Sequence, residues 1–129
     1  MKKGIPLESR DVYITLPQNY DHLSARTKPF IQIPQGEPGR IVTDFEFYDP
    51  ETNKKIKVNF KPPYELRVKF KKKDEDRAEN AKKPLELWYD SGSGWTKFTG
   101  VDMISEGKKK GGIGVVDITD WDPMVGWFP

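Results

Sequence analysis

Five aromatic residues in the second half of the chain are the side chains best suited to binding a ligand. They are Trp88, Tyr89, Trp95, Trp121 and Trp127. Exposed rings in a row stack against the apolar faces of sugars, while nearby Asp, Asn or Lys side chains bind the sugar hydroxyls. In a chain poor in Leu and Ile, the same rings are also needed to fill a hydrophobic core. The five residues are therefore candidates for a ligand-stacking surface, with burial in the core as the alternative.

The relative orientation of Trp88 and Trp95 depends on the turn between them. Residues 85–98 predict a β-hairpin. A four-residue loop at residues 91–94 places both Trp side chains on the outer face of the hairpin. An odd loop length places Tyr89 beside Trp95 on the inner face, because a slip of one residue turns every side chain over. The sequence leaves both registers open.

Three aspartates near the C-terminal end could supply oxygen ligands to a metal ion. They are Asp117, Asp120 and Asp122, with Asp102 as a fourth candidate. Ca²⁺ takes about six to eight such oxygen ligands. The spacing matches no calcium loop of fixed geometry, however, and aspartate is equally common in turns. We therefore predict turn residues here, with no metal centre and no cofactor.

Catalytic constellations are missing from the sequence. His22 is the only histidine and has no Ser or Cys nearby in the chain, and no cysteine is present. Among 20 acidic residues, chance alone brings some pair to the separation of about 5 to 9 Å used in glycoside hydrolysis. The segment Gly111-Gly-Ile-Gly114 lacks the lysine and the following helix of a phosphate-binding loop. The sequence thus predicts that the protein is not an enzyme.

The charge pattern bears on the class of partner. Charged residues make up 33% of the chain, and 22 Lys and Arg nearly balance 20 Asp and Glu. Mixed signs predict a solvated surface rather than one that binds polyanions. The basic runs Lys71–Lys73 and Lys108–Lys110 are short, and Asp74 follows the first directly, so we predict no binding of nucleic acid. No run of about 18 apolar residues is present, which argues against membrane insertion.

Short strands must position these side chains. The clearest alternation is in Tyr64–Phe70, where apolar and charged residues take turns, as is typical of an antiparallel sheet with one wet face. Residues 40–48 and 55–60 predict a hairpin with Ile56, Val58 and Phe60 pointing inward. Further strands are predicted over residues 12–16, 30–33, 85–90, 95–98, 101–104 and 113–118.

The remaining segments are predicted to connect or flank these strands. They are a lead-in at 1–11, a surface loop with one helical turn as the alternative at 18–28, and a Pro- and Gly-rich turn at 34–39. Residues 71–83 are a charged solvated loop with a short helix as the alternative, and residues 119–129 are an aromatic tail that packs back on the domain. About seven to nine short strands at near-regular spacing predict a single domain over residues 1–129. Its predicted fold is an all-β, antiparallel, immunoglobulin-like β-sandwich.

One stretch resembles a known class of module. The pattern Phe60-x-Pro-Pro-x-x-Leu-x-Val-x-Phe70, then Leu85-x-Leu-Trp-Tyr-Asp and Gly94-Trp-x-x-Phe98, is similar to the second half of immunoglobulin-like and ZU5-like β-sandwich modules of bacterial surface or secreted proteins. The resemblance implies a non-catalytic accessory role, an extracellular or cell-surface location, and neighbouring domains or other proteins as partners. It transfers no functional residues.

Two functional hypotheses follow. The first is a structural or interaction module within a larger bacterial extracellular protein. The alternative is a carbohydrate-binding module that uses the five aromatic residues to bind a polysaccharide. A small hydrolase is a distant third. Exposure of the aromatic side chains separates the first two, because a stacking surface needs at least two Trp rings that are coplanar and exposed on one face.

Overall fold

The protein is an all-β sandwich, as the alternating patterns predict. A computed structural model describes residues 2–32 and 39–129. In chain order the elements are β1 (Lys3–Leu7), β2 (Val12–Leu16), β3 (Ser24–Thr27), β4 (Arg40–Asp49), β5 (Lys54–Lys55), β6 (Tyr64–Phe70), α1 (Lys72–Ala81), β7 (Glu86–Asp90), β8 (Thr96–Lys97), β9 (Asp102–Ser105), β10 (Gly112–Ile118) and β11 (Met124–Phe128). Every strand pair is antiparallel.

Two sheets form the sandwich. Sheet 1 has the strand order β1-β2-β6-β10-β9. Sheet 2 has the order β3-β4-β11-β7-β8, and β5 pairs with the far end of β4. The chain crosses between the sheets several times, so that strands distant in sequence, such as β4 and β11, become neighbours.

The core lies between the sheets and is rich in aromatic rings. In β6 the predicted alternation is confirmed: Tyr64, Leu66, Val68 and Phe70 are buried, and the charged residues between them face outward. Sheet 2 contributes Phe45 and Phe47, whose rings meet Tyr64 from the opposite side at centroid distances of 6.5 and 4.7 Å. Such ring pairs contribute about 0.5–1.5 kcal/mol each beyond their buried area.

The aromatic tail contributes the strand β11, which lies between β4 and β7 in sheet 2. Its Trp127 is 1% exposed and donates a hydrogen bond from Nε1 to the Lys69 carbonyl oxygen in sheet 1, at 2.8 Å. Gly114 of β10 makes room for this ring, since a Cβ atom there would lie 2.5 Å from the indole. Trp127 is therefore a core residue that joins the two sheets.

Of the two alternatives for residues 71–83, a charged loop or a short helix, the structure has the helix, over Lys72–Ala81. Asp74 is buried at the first turn of α1, and its carboxylate accepts a hydrogen bond from the Lys71 backbone N–H at 2.8 Å. The same carboxylate receives two hydrogen bonds from Arg40 of β4, at 3.0 and 2.7 Å, and one from Arg77 at 3.2 Å. Within the described ranges, no helix is long and apolar enough to cross a bilayer.

Two predictions for the N-terminal third were wrong. Residues 3–7, assigned to a lead-in, form β1 and pair with β2. Pro6 did not prevent this, because β1 is an edge strand and needs no donor on its free side. Residues 24–27, assigned to a surface loop, form β3 and pair with β4 from Phe45 to Tyr48.

The strand predicted at residues 30–33 is absent where the structure describes it. Phe30, Ile31 and Gln32 form no strand, and Ile33 lies outside the described residues, as does most of the predicted turn, at 34–38. The Gln32 side chain instead donates to the Ile41 carbonyl oxygen at 2.8 Å and accepts from the Ile41 N–H at 3.2 Å. A side-chain amide thus satisfies the edge of β4 that a paired strand would otherwise cover.

The hairpin predicted from residues 40–48 and 55–60 is also wrong beyond its first pairs. Strand β5 has only two residues, and Val58, predicted to point inward, is 61% exposed. The chain leaves sheet 2 here to enter β6 in sheet 1, so it cannot continue along β4. Phe60 is nevertheless buried, and its N–H donates to the Thr119 carbonyl oxygen at 2.9 Å.

The buried phenol of Tyr64 makes the stability of the fold depend on pH in the alkaline range. Its hydroxyl donates to the Asp120 carbonyl oxygen at 2.7 Å, and burial raises the pKa of this phenol well above 10.0. A raised folded-state pKa gives stability that is fully present below the unfolded pKa, near 10, and is lost as pH rises above it. We expect the melting temperature to fall more steeply above pH 10 in the natural protein than in Tyr64→Phe. Equal slopes in a pH series of thermal melts would contradict this role.

Candidate functional site

The hairpin of β7 and β8 has the four-residue loop. Trp88 pairs with Lys97 and Tyr89 pairs with Thr96, which is the register predicted for the four-residue loop at residues 91–94. Asp90 holds this loop, because its Oδ1 atom accepts hydrogen bonds from the backbone N–H groups of Gly92 and Gly94 at 2.7 and 3.2 Å. This register places Trp88 and Trp95 on the outer face of sheet 2.

Trp88, Trp95 and Phe128 form what we call the tryptophan patch. The Phe128 ring lies between the two indoles, at centroid distances of 6.2 Å from Trp88 and 5.0 Å from Trp95. Both contacts are edge-to-face, an arrangement that ring quadrupoles favour. Gly39 lies against the Phe128 ring, at a place where a Cβ atom would overlap it. All three residues are partly exposed, although the Trp88 Nε1 atom is buried.

A polar cleft adjoins the tryptophan patch on the same face. Its volume is about 230 Å³, and it is lined by Lys28, Asp44, Asp90, Ser91, Gly92, Asp122 and Met124. Asp90, Met124 and Asp44 form one cross-strand row, and Trp88 and Gly126 belong to the next row. Rows that are two residues apart along a strand are separated by about 7 Å. The ring of Trp88 and the polar groups of the cleft are therefore close enough for one or two linked sugar residues to contact both.

Ion pairs keep the charges of the cleft balanced. Lys28 Nζ lies 3.5 Å from Asp44 Oδ1, and Lys55 Nζ lies 3.0 Å from Asp122 Oδ2. Burial raises the pKa of Asp44, and the nearby Lys28 opposes that rise. The hydrogen bond to Asp122 raises the pKa of Lys55. The cleft thus offers both carboxylate acceptors and ammonium donors, which is the combination that a hydroxyl-rich ligand needs.

The other three candidate stacking residues lie on the core side. Tyr89 packs on Phe98 with a centroid distance of 4.4 Å, and both rings are partly buried against the core. Trp121 is likewise partly buried against the core, and Trp127 is buried within it. The structure therefore brings together two of the five predicted residues, Trp88 and Trp95.

The calcium hypothesis gains no support. Asp117 is exposed on β10 in sheet 1, and Asp122 is paired with Lys55 in sheet 2. The Asp120 carboxylate accepts a hydrogen bond from Ser91 Oγ at 3.2 Å. Within residues 2–32 and 39–129, no group of three or more His, Asp or Glu side chains is arranged to hold a metal ion.

Sequence reasoning missed three residues of this surface. Phe128 is the ring on which both indoles pack, Asp90 holds the loop, and Met124 lines the cleft. A signal for Phe128 was available in the alternation of the tail. Once Trp127 is assigned to the core, its neighbour in an extended strand must face outward.

Comparisons with known proteins found no counterpart for this chain. No protein-family model matches it, and neither a curated protein nor a solved structure was found to be similar. Functional inference therefore rests on the geometry of the two sheet faces.

Proposed function

We propose that the protein is a non-catalytic carbohydrate-binding module that uses the outer face of sheet 2. The observation that carries this proposal is the position of Trp88 and Trp95, which lie on one face around a single phenylalanine ring. Sugar C–H groups stack on such rings, as the apolar faces of pyranoses are the part of a sugar that gains by leaving water.

The polar cleft supports the same ligand class. A sugar stacked on Trp88 would place its hydroxyl groups about 7 Å along the strands, above Asp90 and Asp44. Lys28 adds an ammonium donor in the same cleft, and the Ser91 hydroxyl oxygen adds an acceptor. Apolar and polar contacts at this spacing suit an amphipathic ligand better than a purely apolar one. The ligand we propose is a neutral polysaccharide chain.

Native gel electrophoresis through soluble polysaccharides tests the proposal. A suitable panel contains hydroxyethylcellulose, xylan, galactomannan and mixed-linkage β-glucan. We expect at least one of them to retard the protein, and we expect Trp88→Ala or Trp95→Ala to weaken that binding about two- to twelvefold, the range of a single aromatic contact. Tyr48→Ala is the matched control, because Tyr48 is also an aromatic residue on the outer face of sheet 2 but packs against Arg26, away from the patch.

Two results would defeat the proposal. One is that no polysaccharide of the panel retards the protein. The other is that retardation is unchanged in both tryptophan variants. Unfolding curves for each variant show whether a loss of binding reflects a loss of fold.

Docking on a neighbouring domain or another protein is the second candidate function. It is favoured by β9, the edge strand of sheet 1, in which Met103 and Ile104 are 45% and 50% exposed. Apolar side chains on an unpaired strand edge are typical of interaction surfaces. The immunoglobulin-like character, the bacterial origin and the extracellular location rest on the sequence resemblance and stay predictions.

A further inference from the structure

A second groove lies on the opposite face of the molecule, on the outer side of sheet 1. Its volume is about 370 Å³, and strands β2 and β6 form its floor. Three cationic residues line it, namely Arg10, Arg67 and Lys69. Tyr13 stands directly opposite Arg67 in the strand register, and its side chain is 42% exposed. We refer to this site as the cationic groove.

Two of the three cations have no carboxylate partner in the described part of the chain. Arg67 pairs with Glu65 at 2.8 Å, and the other carboxylate of the groove, Asp11, lies 3.4 Å from Lys71 Nζ. Both acids are thus already matched to a basic residue, whereas the charges of Arg10 and Lys69 are left to solvent. The groove therefore has an unmatched positive charge that the near-neutral total charge of the chain conceals.

The turn that presents Arg10 is strained. Glu8, Ser9 and Arg10 all have positive φ angles, of 50°, 53° and 72°. Residues with a Cβ atom rarely adopt this left-handed conformation, and three in succession are rarer still. Two hydrogen bonds hold the turn: the Asp11 N–H donates to the Glu8 carbonyl oxygen at 2.9 Å, and the buried Thr43 hydroxyl donates to Glu8 Oε1 at 3.3 Å. Backbone strain that the surroundings enforce is a feature of functional sites.

We propose that the cationic groove binds the carboxylate or sulfate groups of an acidic polysaccharide. Arg10 and Lys69 are the residues that contact the oxyanion, and the ring of Tyr13, whose hydroxyl lies over Gly4 of β1, borders the groove. The groove is open and lies across a sheet face, which suits an extended chain. The strands of its floor are paired on both sides, so a peptide could not add to them by main-chain hydrogen bonds. This site is distinct from the tryptophan patch and does not depend on it.

Charge-matched variants test the groove. The probes are polygalacturonate for carboxylate and dextran sulfate for sulfate, with neutral dextran as the blank and polyglutamate as the peptide comparison. We expect Lys69→Gln to weaken binding of an acidic polysaccharide about two- to fivefold at low salt, the range of one exposed charge contact. Lys57→Gln is the matched control, because it removes the same charge from an exposed residue that lies outside the groove.

Two glycine substitutions separate the backbone strain of the turn from the contribution of Arg10 to ligand binding. Both Ser9→Gly and Arg10→Gly relieve a left-handed residue, so both are expected to raise the melting temperature by a few degrees. Only Arg10→Gly removes a cation, so only that variant is expected to lose affinity for the acidic polysaccharide. A gain of stability with a loss of binding in Arg10→Gly, and a gain of stability alone in Ser9→Gly, is the expected pattern.

Several outcomes would overturn the inference. Equal weakening by Lys69→Gln and Lys57→Gln would show a general charge effect in place of a site. Polyglutamate binding as tightly as both polysaccharides would reject the ligand class. In the natural protein, amide chemical shifts provide a test without mutation: polygalacturonate or dextran sulfate should move the signals of Thr15, Arg67 and Lys69. Shifts confined to the tryptophan patch would reject the groove while leaving the proposed function standing.

Discussion

Trp127→Ala is expected to lower the free energy of unfolding by about 3–5 kcal/mol, the usual cost of deleting a large buried aromatic side chain. Trp127 is 1% exposed, fills the space above Gly114 and packs edge-to-face on Phe70 at 5.1 Å. Its loss also leaves the Lys69 carbonyl oxygen without the indole donor. The total stability of a domain is about 5–15 kcal/mol, so this single change removes a large share of it. Urea denaturation followed by circular dichroism measures the change.

Two further variants test whether the loss of stability in Trp127→Ala comes from the burial of this side chain. Trp127→Phe keeps most of the ring but loses the hydrogen bond, so we expect a smaller loss, of about 1–2 kcal/mol. Trp95→Ala removes a partly exposed indole and should cost less than about 1.5 kcal/mol. If Trp95→Ala proved as destabilising as Trp127→Ala, the assignment of Trp127 to the core and Trp95 to the surface would be wrong.

Asp74→Ala is expected to cost about 3–5 kcal/mol, because it leaves the Arg40 guanidinium half-buried without its partner. The Asp74 side chain is fully buried, and the hydrogen bonds from Arg40 raise the pKa of that arginine. The pair ties α1, which connects β6 of sheet 1 to β7 of sheet 2, to β4 of sheet 2. Asp76→Ala is the control on the same helix, since the one ion pair of Asp76 among the described residues is a distant contact with Lys109, at 3.9 Å, and its removal should cost less than about 1 kcal/mol.

A double-mutant cycle separates the pair from the loss of a single charge. Removing both partners in Asp74→Ala with Arg40→Met should cost clearly less than the sum of the single changes, as an unpaired buried charge is the expensive state. Additive effects, measured by chemical denaturation of the four proteins, would show that the two side chains act independently.

The strands could be predicted from the sequence where one face of the strand is buried and the other is exposed to solvent. In Tyr64–Phe70 every second residue enters the core, so local alternation and tertiary structure agree. Strand β1 was missed because Gly4 and Pro6 argue against a strand locally, and only its pairing with β2 makes an edge strand there. The sequence of α1 is almost wholly charged, which does not distinguish a loop from a helix. The burial of Asp74 depends on Arg40, 34 residues away, which no local pattern reveals.

The candidate site was half predictable for a related reason. Residue type identified Trp88 and Trp95 as candidates, but their common orientation depends on the loop length, which Asp90 fixes through Gly92 and Gly94. Trp121 and Trp127 were candidates by the same criterion and are turned towards the core, because the tail enters the middle of sheet 2. The cationic groove had no sequence signal, since its charges come from a turn and two strands that meet only in the folded chain.

The central position of β11 also determines when this protein can fold during its synthesis. Sheet 2 needs β11 between β4 and β7, so neither neighbour can complete its hydrogen bonds until residue 128 has left the ribosome. Until then the nascent chain carries Phe45 and Leu87 on strands with open edges, the kind of surface that recruits chaperones or aggregates. Sheet 2 is therefore completed after translation of the last strand rather than progressively.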